Sequence, residues 1–112
     1  MSGEERSGRQ RRRARRHAFL RMVQYRTKDQ AGEGHVAVMS AVGMFVRCER
    51  LPSIGEIVWV FLDEPVPTLL ATGEVRSLRE QDDARGFGLE VSHGTRTFRA
   101  IIERLERRNG SD

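Results

Sequence analysis

Residues 86–105 read GFGLEVSHGTRTFRAIIERL, and the spacing of their apolar residues changes once along the stretch. Over residues 86–91, apolar residues alternate with glycines and Glu90, as they do in a β-strand. Beyond Thr95, apolar residues fall at positions i, i+3, i+4 and i+7, which form one stripe on an α-helix: Phe98, Ile101, Ile102 and Leu105. The stretch therefore predicts a last strand and an amphipathic helix, whose stripe would pack on the open end of a small β-barrel.

Five segments before this stretch have the apolar and β-branched composition of strands: residues 18–25, 35–40, 44–49, 56–62 and 69–78. Glycine, proline and polar residues separate them, as in the connection at residues 27–34, which we expect to be a turn or loop. Residues 56–62 are apolar on both faces, which predicts the most buried strand, with Trp59 in the core. Six strands followed by one helix predict a mainly β fold, a six-stranded antiparallel β-barrel with a C-terminal amphipathic helix.

Positive charge is concentrated at the N-terminus. The 112 residues include 20 Lys and Arg against 16 Asp and Glu, a net charge of +4. Residues 1–16 contain seven Arg and two Glu, a net of +5, so the remaining 96 residues sum to −1. Because residues 1–15 contain almost nothing apolar, we expect them to form a flexible Arg-rich arm. Residues 16–108 would then form the single domain, and residues 109–112 a tail.

The composition argues against several classes of protein. No uncharged apolar stretch approaches the roughly 20 residues of a membrane-spanning helix. The N-terminus lacks the apolar core of a secretory signal, so we expect a cytoplasmic protein. The single cysteine, Cys48, excludes an intramolecular disulfide and a cysteine-based zinc cluster. The three histidines lack metal-ligand spacing and Ser40 has no nearby base in the sequence, so we expect neither an enzyme nor a bound metal or cofactor.

Two short motifs accompany the predicted strands. Arg12 and Arg16 form an Arg-x-x-x-Arg motif directly before the first strand. Ser40 and Gly43 form a Ser-x-x-Gly motif at the break between the second and third strands. Guanidinium groups pair with anions, while a serine and a glycine at a turn offer a hydroxyl, backbone N–H groups and room for close approach.

In their order and spacing, these motifs resemble the PilZ domain family. The signature of that family is Arg-x-x-x-Arg before the first strand and [Asp/Asn]-x-Ser-x-x-Gly after it. A Gly-x-Val at residues 73–75, a strand of the pattern Gly-apolar-Gly-apolar-x-apolar at residues 86–91 and a final apolar-striped helix are similar as well. The resemblance covers residues 11–108 and implies a bacterial receptor for cyclic di-GMP.

The resemblance also implies roles for individual residues. The two arginines of the arm would fold over cyclic di-GMP, with Ser40 and Gly43 on the barrel surface opposite them. In the family the second arginine directly precedes the first strand, so Arg12 and Arg16 fit best. The Arg run also contains two pairs at the same spacing, which remain alternatives: Arg11 with Arg15, and Arg9 with Arg13.

One position departs from the family pattern. Two residues before Ser40, where the family has Asp or Asn, this chain has Val38. In the family that carboxylate or amide reads a guanine edge, and valine offers no such hydrogen bond. The loss of one polar contact with a ligand costs about 1–3 kcal/mol, or roughly 10- to 100-fold in affinity. The sequence therefore predicts weakened or lost binding of cyclic di-GMP.

These observations leave three hypotheses about function. The first is a regulatory adaptor that binds cyclic di-GMP and then meets an unidentified protein effector, as a monomer or a homodimer. The second is a degenerate PilZ-like module that binds only proteins, with Val38 marking the lost ligand site. The third is a small β-barrel that binds nucleic acid through its arm. The net charge of −1 outside residues 1–16, with no evident aromatic stripe on a solvent face, disfavours the third.

Overall fold

The computed structural model describes residues 15–63 and 65–110, with side chains as far as Arg108. Over this part of the chain it contains the following elements in order: β1 (His17–Arg26), β2 (Ala31–Ser40), β3 (Gly43–Cys48), β4 (Ile57–Leu62), β5 (Thr68–Arg79), a 3-10 turn (Asp82–Ala84), β6 (Gly86–Gly94) and α1 (Arg96–Gly110). The predicted arm up to Ala14, and with it Arg12, lies outside the described residues.

The six strands form one closed barrel in the order β1-β2-β3-β6-β5-β4. Every neighbouring pair is antiparallel, and the barrel closes where β4 pairs with β1, with Val23 opposite Leu62. Closure pairs strands that would otherwise be exposed edges. The prediction of a six-stranded antiparallel β-barrel with a C-terminal helix is confirmed. No helix in the described part of the chain is long and apolar enough to cross a membrane.

Alternate residues of the strands fill the barrel interior. The largest fully buried side chains come from all six strands: Tyr25, Phe87, Met39, Leu70, Val23, Val36, Val46, Val58, Val60 and Val75. Tyr25 and Phe87 meet edge to face, with ring centroids 5.3 Å apart and planes at 68°. The Tyr25 hydroxyl donates a hydrogen bond to the carbonyl of Arg50, and burial raises the pKa of this phenol. Tyr25 therefore stays a neutral donor that ties the β3–β4 connection to the core.

Helix α1 packs its apolar stripe against β5 and β6. Phe98, Ile102 and Leu105 are buried, as the i, i+3, i+4, i+7 spacing predicted. Thr95 caps the helix, because its hydroxyl oxygen accepts the Phe98 N–H at 3.3 Å. The same hydroxyl lies 2.9 Å from the carbonyl of Leu70, so the cap also ties the helix start to β5. These contacts fix α1 on the barrel.

Strand β2 begins earlier than predicted. We expected residues 27–34 to be a turn or loop, but the strand already starts at Ala31. The glycines in this segment permit close approach between strands. A Cβ on Gly32 would lie 2.5 Å from the Tyr25 hydroxyl oxygen, and one on Gly34 would lie 2.2 Å from the carbonyl oxygen of Arg47. These glycines thus belong to the strand, and only the residues before Ala31 turn the chain.

The expectation that Trp59 lies in the core is wrong. Strand β4 alternates, with Val58 and Val60 fully buried while Trp59 is 38% and Ile57 45% exposed. Residues that follow one another in a strand point to opposite faces, so a strand of a single-layer barrel cannot bury both sets. Trp59 therefore lies on the outer surface.

Candidate ligand-binding site

A cavity of about 850 Å³ lies on the outer face of four strands, β2, β3, β6 and β5. Its floor is a row of residues paired directly across those strands: Val38 with Phe45, Phe45 with Gly88, and Gly88 with Ser77. The sequence neighbours of this row, such as Met39 and Phe87, point into the core, so the row faces outward. A Cβ on Gly88 would lie 2.4 Å from the Ser77 hydroxyl oxygen. Glycine at position 88 therefore lets the Ser77 side chain of β5 lie close to the floor of the cavity.

The Ser-x-x-Gly motif forms the β2–β3 turn at one end of this cavity. Ser40 pairs with Gly43, and both line the cavity. The Ser40 hydroxyl accepts the Val42 N–H at 3.3 Å, which stabilises the turn. A Cβ on Gly43 would lie 2.7 Å from the Leu89 carbonyl oxygen, so glycine is what lets β6 pair this closely. Both residues thus shape the turn and border the cavity, and the Ser40 side chain is buried there.

Of the predicted arginine pair, the described residues include only the second member. Arg16 is exposed, directly precedes β1 and lines the same cavity as Ser40 and Gly43. Arg12 lies outside the described residues. Three of the four predicted site residues therefore lie around one cavity, and their part in binding a ligand stays a prediction.

Sequence reasoning missed three arginines on the strands of the cavity. Arg47 of β3 and Arg76 and Arg79 of β5 line it. Arg47 donates to the carbonyl of Asp83. Arg76 Nε donates to Glu90 Oε1 at 2.6 Å, and its Nη1 lies 3.6 Å from Glu74 Oε2.

The residues that line the cavity make its wall positively charged. The hydrogen bond with Glu90, with the added charge of Glu74, raises the pKa of Arg76, so this guanidinium stays charged. Among the residues that the structure describes, the lining contains four arginines and a single acidic residue, Glu90. Such a concave surface attracts anions, and its charge is screened least at low salt.

The third strand arginine, Arg79, lies over an aromatic ring. Its guanidinium carbon is 5.5 Å from the centroid of Phe45. Gly86 of β6 pairs with Arg79 and leaves space for this ring, because a Cβ there would lie 2.8 Å from Phe45 Cε2. A guanidinium over an aromatic face gains a cation–π interaction of about 0.5–1 kcal/mol at an exposed site.

Comparisons with known proteins bear on what this site is. The sequence model of the PilZ domain matches residues 10–107. The chain belongs to the PilZ domain family. Its fold is similar to the inhibitor of motility MotI/DgrA of Bacillus subtilis, with a TM-score of 0.68 and 18% sequence identity over 91% of this chain. The match covers 53% of MotI/DgrA, so this chain spans about half the length of that protein. No curated protein matches the chain in sequence.

Val38 occupies the position at which the PilZ signature has Asp or Asn. It is half-buried, lines the cavity and pairs with Phe45 across β2 and β3. The floor of the cavity at this point is therefore apolar, with an aromatic ring directly beside the valine. A ligand base placed there would meet van der Waals surface and would find no hydrogen-bond partner in either side chain.

A second cavity, of about 950 Å³, lies near the β3–β4 connection of the PilZ domain and is lined in part by Tyr25, Cys48 and Arg50. The Cys48 thiol donates to the Arg50 carbonyl at 3.4 Å, and burial raises its pKa. A thiol with a raised pKa is a poor nucleophile at neutral pH, so Cys48 contributes packing to this wall. Among the described residues, no group of three or more His, Cys, Asp or Glu could hold a metal ion.

Proposed function

We propose that this PilZ domain is a regulatory receptor for cyclic di-GMP, acting in the cytoplasm on a protein effector. The observation that carries the proposal is that Arg16, Ser40 and Gly43, from two separate motifs, line one cavity on the barrel surface. Family membership supports a regulatory role of this kind over an enzymatic one. The ligand would bind between the arm, with Arg12 and Arg16, and the turn formed by Ser40 and Gly43.

The chemistry of the cavity suits such a ligand. Cyclic di-GMP carries two phosphates and two guanines. Guanidinium groups pair with phosphate in charge-assisted hydrogen bonds and fork onto guanine O6 and N7. The four arginines among the described lining residues supply these guanidinium groups.

Closure of the arm would provide the output of the receptor. A bound ligand would order the arm against the barrel and present a changed surface to the effector. A ligand that binds the ordered arm more tightly than the free arm shifts the equilibrium toward the ordered arm. The free energy of this shift equals the difference between its binding free energies for the two forms. Receptor and effector would thus be coupled through the arm.

A second candidate function is a PilZ domain that binds proteins and no nucleotide. Val38 favours it, because the family's guanine-reading side chain is absent from the cavity floor. The two functions differ in whether the cavity takes cyclic di-GMP at all, so a direct binding measurement separates them.

Isothermal titration of the full chain with cyclic di-GMP tests the proposal. We expect saturable binding at ligand concentrations up to about 100 μM, with cyclic di-AMP bound more weakly because adenine presents an amino donor where guanine has the O6 acceptor. The absence of heat with cyclic di-GMP over this range would refute the receptor and leave the protein-binding module. Equal affinity for both ligands would refute guanine recognition.

Replacement of Val38 by aspartate should strengthen binding. The Val38→Asp variant returns the carboxylate of the family signature to the cavity floor, and one such hydrogen-bonded contact changes affinity by about 10- to 100-fold. Val66→Asp is the matched control, since Val66 is 61% exposed and does not line the cavity, yet the net charge changes equally. Calorimetry on both variants gives the two affinities. If Val38→Asp leaves the affinity of the wild type unchanged, position 38 is not what limits binding.

A further inference from the structure

We infer that Arg79 recognises a guanine base of the ligand. Its guanidinium lies over the ring of Phe45, next to Val38, which has no polar group. The inference rests on the proposed function and assigns a specificity-determining role to a residue outside both sequence motifs. It is carried by three observations: the contiguity of Val38, Phe45 and Arg79, the hydrogen-bonding state of the cavity arginines, and the geometry of a guanidinium fixed on a ring.

The first observation concerns position. Val38 and Phe45 are direct partners across β2 and β3, so their side chains share the outward face. The guanidinium of Arg79 lies 5.5 Å from the centroid of the Phe45 ring. The ring lies over Gly86 of β6, and Gly86 is the direct strand partner of Arg79, which brings the ring and the guanidinium together. Val38, Phe45 and Arg79 therefore form a continuous surface, and Arg79 supplies a polar group next to the apolar position.

Of the three strand arginines at the cavity, Arg79 is the one whose side-chain N–H donors are available to a ligand. Arg47 donates to the Asp83 carbonyl, and Arg76 is bonded to Glu90 with Glu74 beside it. The side chain of Arg79 makes a ring contact but no hydrogen bond or ion pair with any residue in the described part of the chain. A ligand that engages Arg76 must first compete with a carboxylate, whereas Arg79 offers its N–H donors without that cost.

The third observation concerns geometry. A guanidinium over a ring is restricted in rotation, so less side-chain entropy is lost when it binds a ligand. Its planar fork matches the two acceptors O6 and N7 on one edge of guanine. Adenine has N7 but presents an amino donor in place of O6, which opposes the fork. Arg79 therefore reads the acceptor edge of guanine, and this contact offsets in part the hydrogen bond lost at Val38.

The experiment is calorimetric titration of the full chain with cyclic di-GMP and with cyclic di-AMP, on the wild type and three variants. Arg79→Ala should lower the affinity for cyclic di-GMP by about 10- to 100-fold, as the loss of a bidentate base contact does. The affinity for cyclic di-AMP should fall much less. Arg79→Lys should recover little of this affinity, since an ammonium keeps the charge but lacks the planar fork. Arg104→Ala, which removes an exposed arginine of α1 outside the cavity lining, should bind both ligands as the wild type does.

Each outcome separates the inference from the function on which it rests. If the wild type binds cyclic di-GMP and Arg79→Ala matches Arg104→Ala, the role of Arg79 is overturned while the receptor stands. If Arg79→Lys keeps the full affinity of the wild type, or if Arg79→Ala lowers the affinity for both ligands equally, Arg79 supplies charge alone. Either result overturns guanine recognition by Arg79. If the wild type binds no cyclic di-GMP, both proposals fail. Arg79 is exposed, so equal thermal midpoints across the variants are expected and exclude misfolding as the cause.

Discussion

The Phe87→Ala variant is expected to lose about 3–5 kcal/mol of unfolding free energy, a large fraction of the roughly 5–15 kcal/mol that stabilises a typical domain. Phe87 is fully buried and packs edge to face on Tyr25 from the opposite side of the barrel interior. Its strand neighbours, Gly86 and Gly88, lie on the outward-facing row, so they cannot fill the interior space left behind. Urea denaturation followed by circular dichroism measures the loss, and the thermal midpoint should fall by roughly 4–8 °C per kcal/mol.

The matched control is Phe45→Ala, which removes the same side chain from the other face of the sheet. Phe45 is half-buried and lies over Gly86 on the outside of the barrel. Because its ring is already partly in contact with water, we expect a loss of about 1 kcal/mol. Equal losses for the two variants would contradict the assignment of Phe87 to the interior and Phe45 to the surface.

The fold could be predicted from the sequence to the extent that one face of each element is apolar. The stripe from Phe98 to Leu105 and the alternation of residues 86–91 predicted the helix and the last strand, and the structure confirms both. The pattern could not assign Trp59, because β4 is apolar on both faces and only the closed barrel decides which set points inward. It also could not place Gly32 in a strand, since the reason for that glycine is the Tyr25 hydroxyl across the sheet.

Part of the candidate site could also be predicted from the sequence, and part could not. Ser40 and Gly43 could be found because a motif in one turn is local in sequence, and they line the cavity together with Arg16. The contribution of Arg76 and Arg79 depends on the register of β5 against β6, which shifts between Val75 and Ser77. No periodicity in a single sequence specifies such a bulge. The charges at Glu74, Arg76 and Arg79 were the signal available in the sequence, and such charges are typical of any solvated strand face.

Replacement of both arginines of the predicted motif should have the largest effect on ligand binding. Hydrogen bonds to charged groups contribute about 1.5–3 kcal/mol each, so the combined Arg12→Ala and Arg16→Ala substitutions should weaken cyclic di-GMP by about 100-fold or more. Arg16 lies at the cavity beside Ser40 and Gly43, on the chain that leads from β1 into the arm. Calorimetry on the double variant, compared with the wild type, measures the loss.

Two controls separate the motif from general charge and from its neighbouring register. Arg107→Ala with Arg108→Ala removes two charges from the exposed end of α1, away from the cavity, and should leave affinity unchanged. Arg11→Ala with Arg15→Ala removes the pair displaced by one residue in the same run. If this variant loses more affinity than the Arg12 and Arg16 double variant, the motif is the pair displaced by one position. A phosphate contact depends on which guanidinium reaches the ligand, whereas general attraction depends on net charge alone. Equal losses of affinity in the two arm variants, with none in the α1 variant, would mean that the arm attracts the ligand without a defined site. Equal losses in all three would mean that net charge alone attracts the ligand.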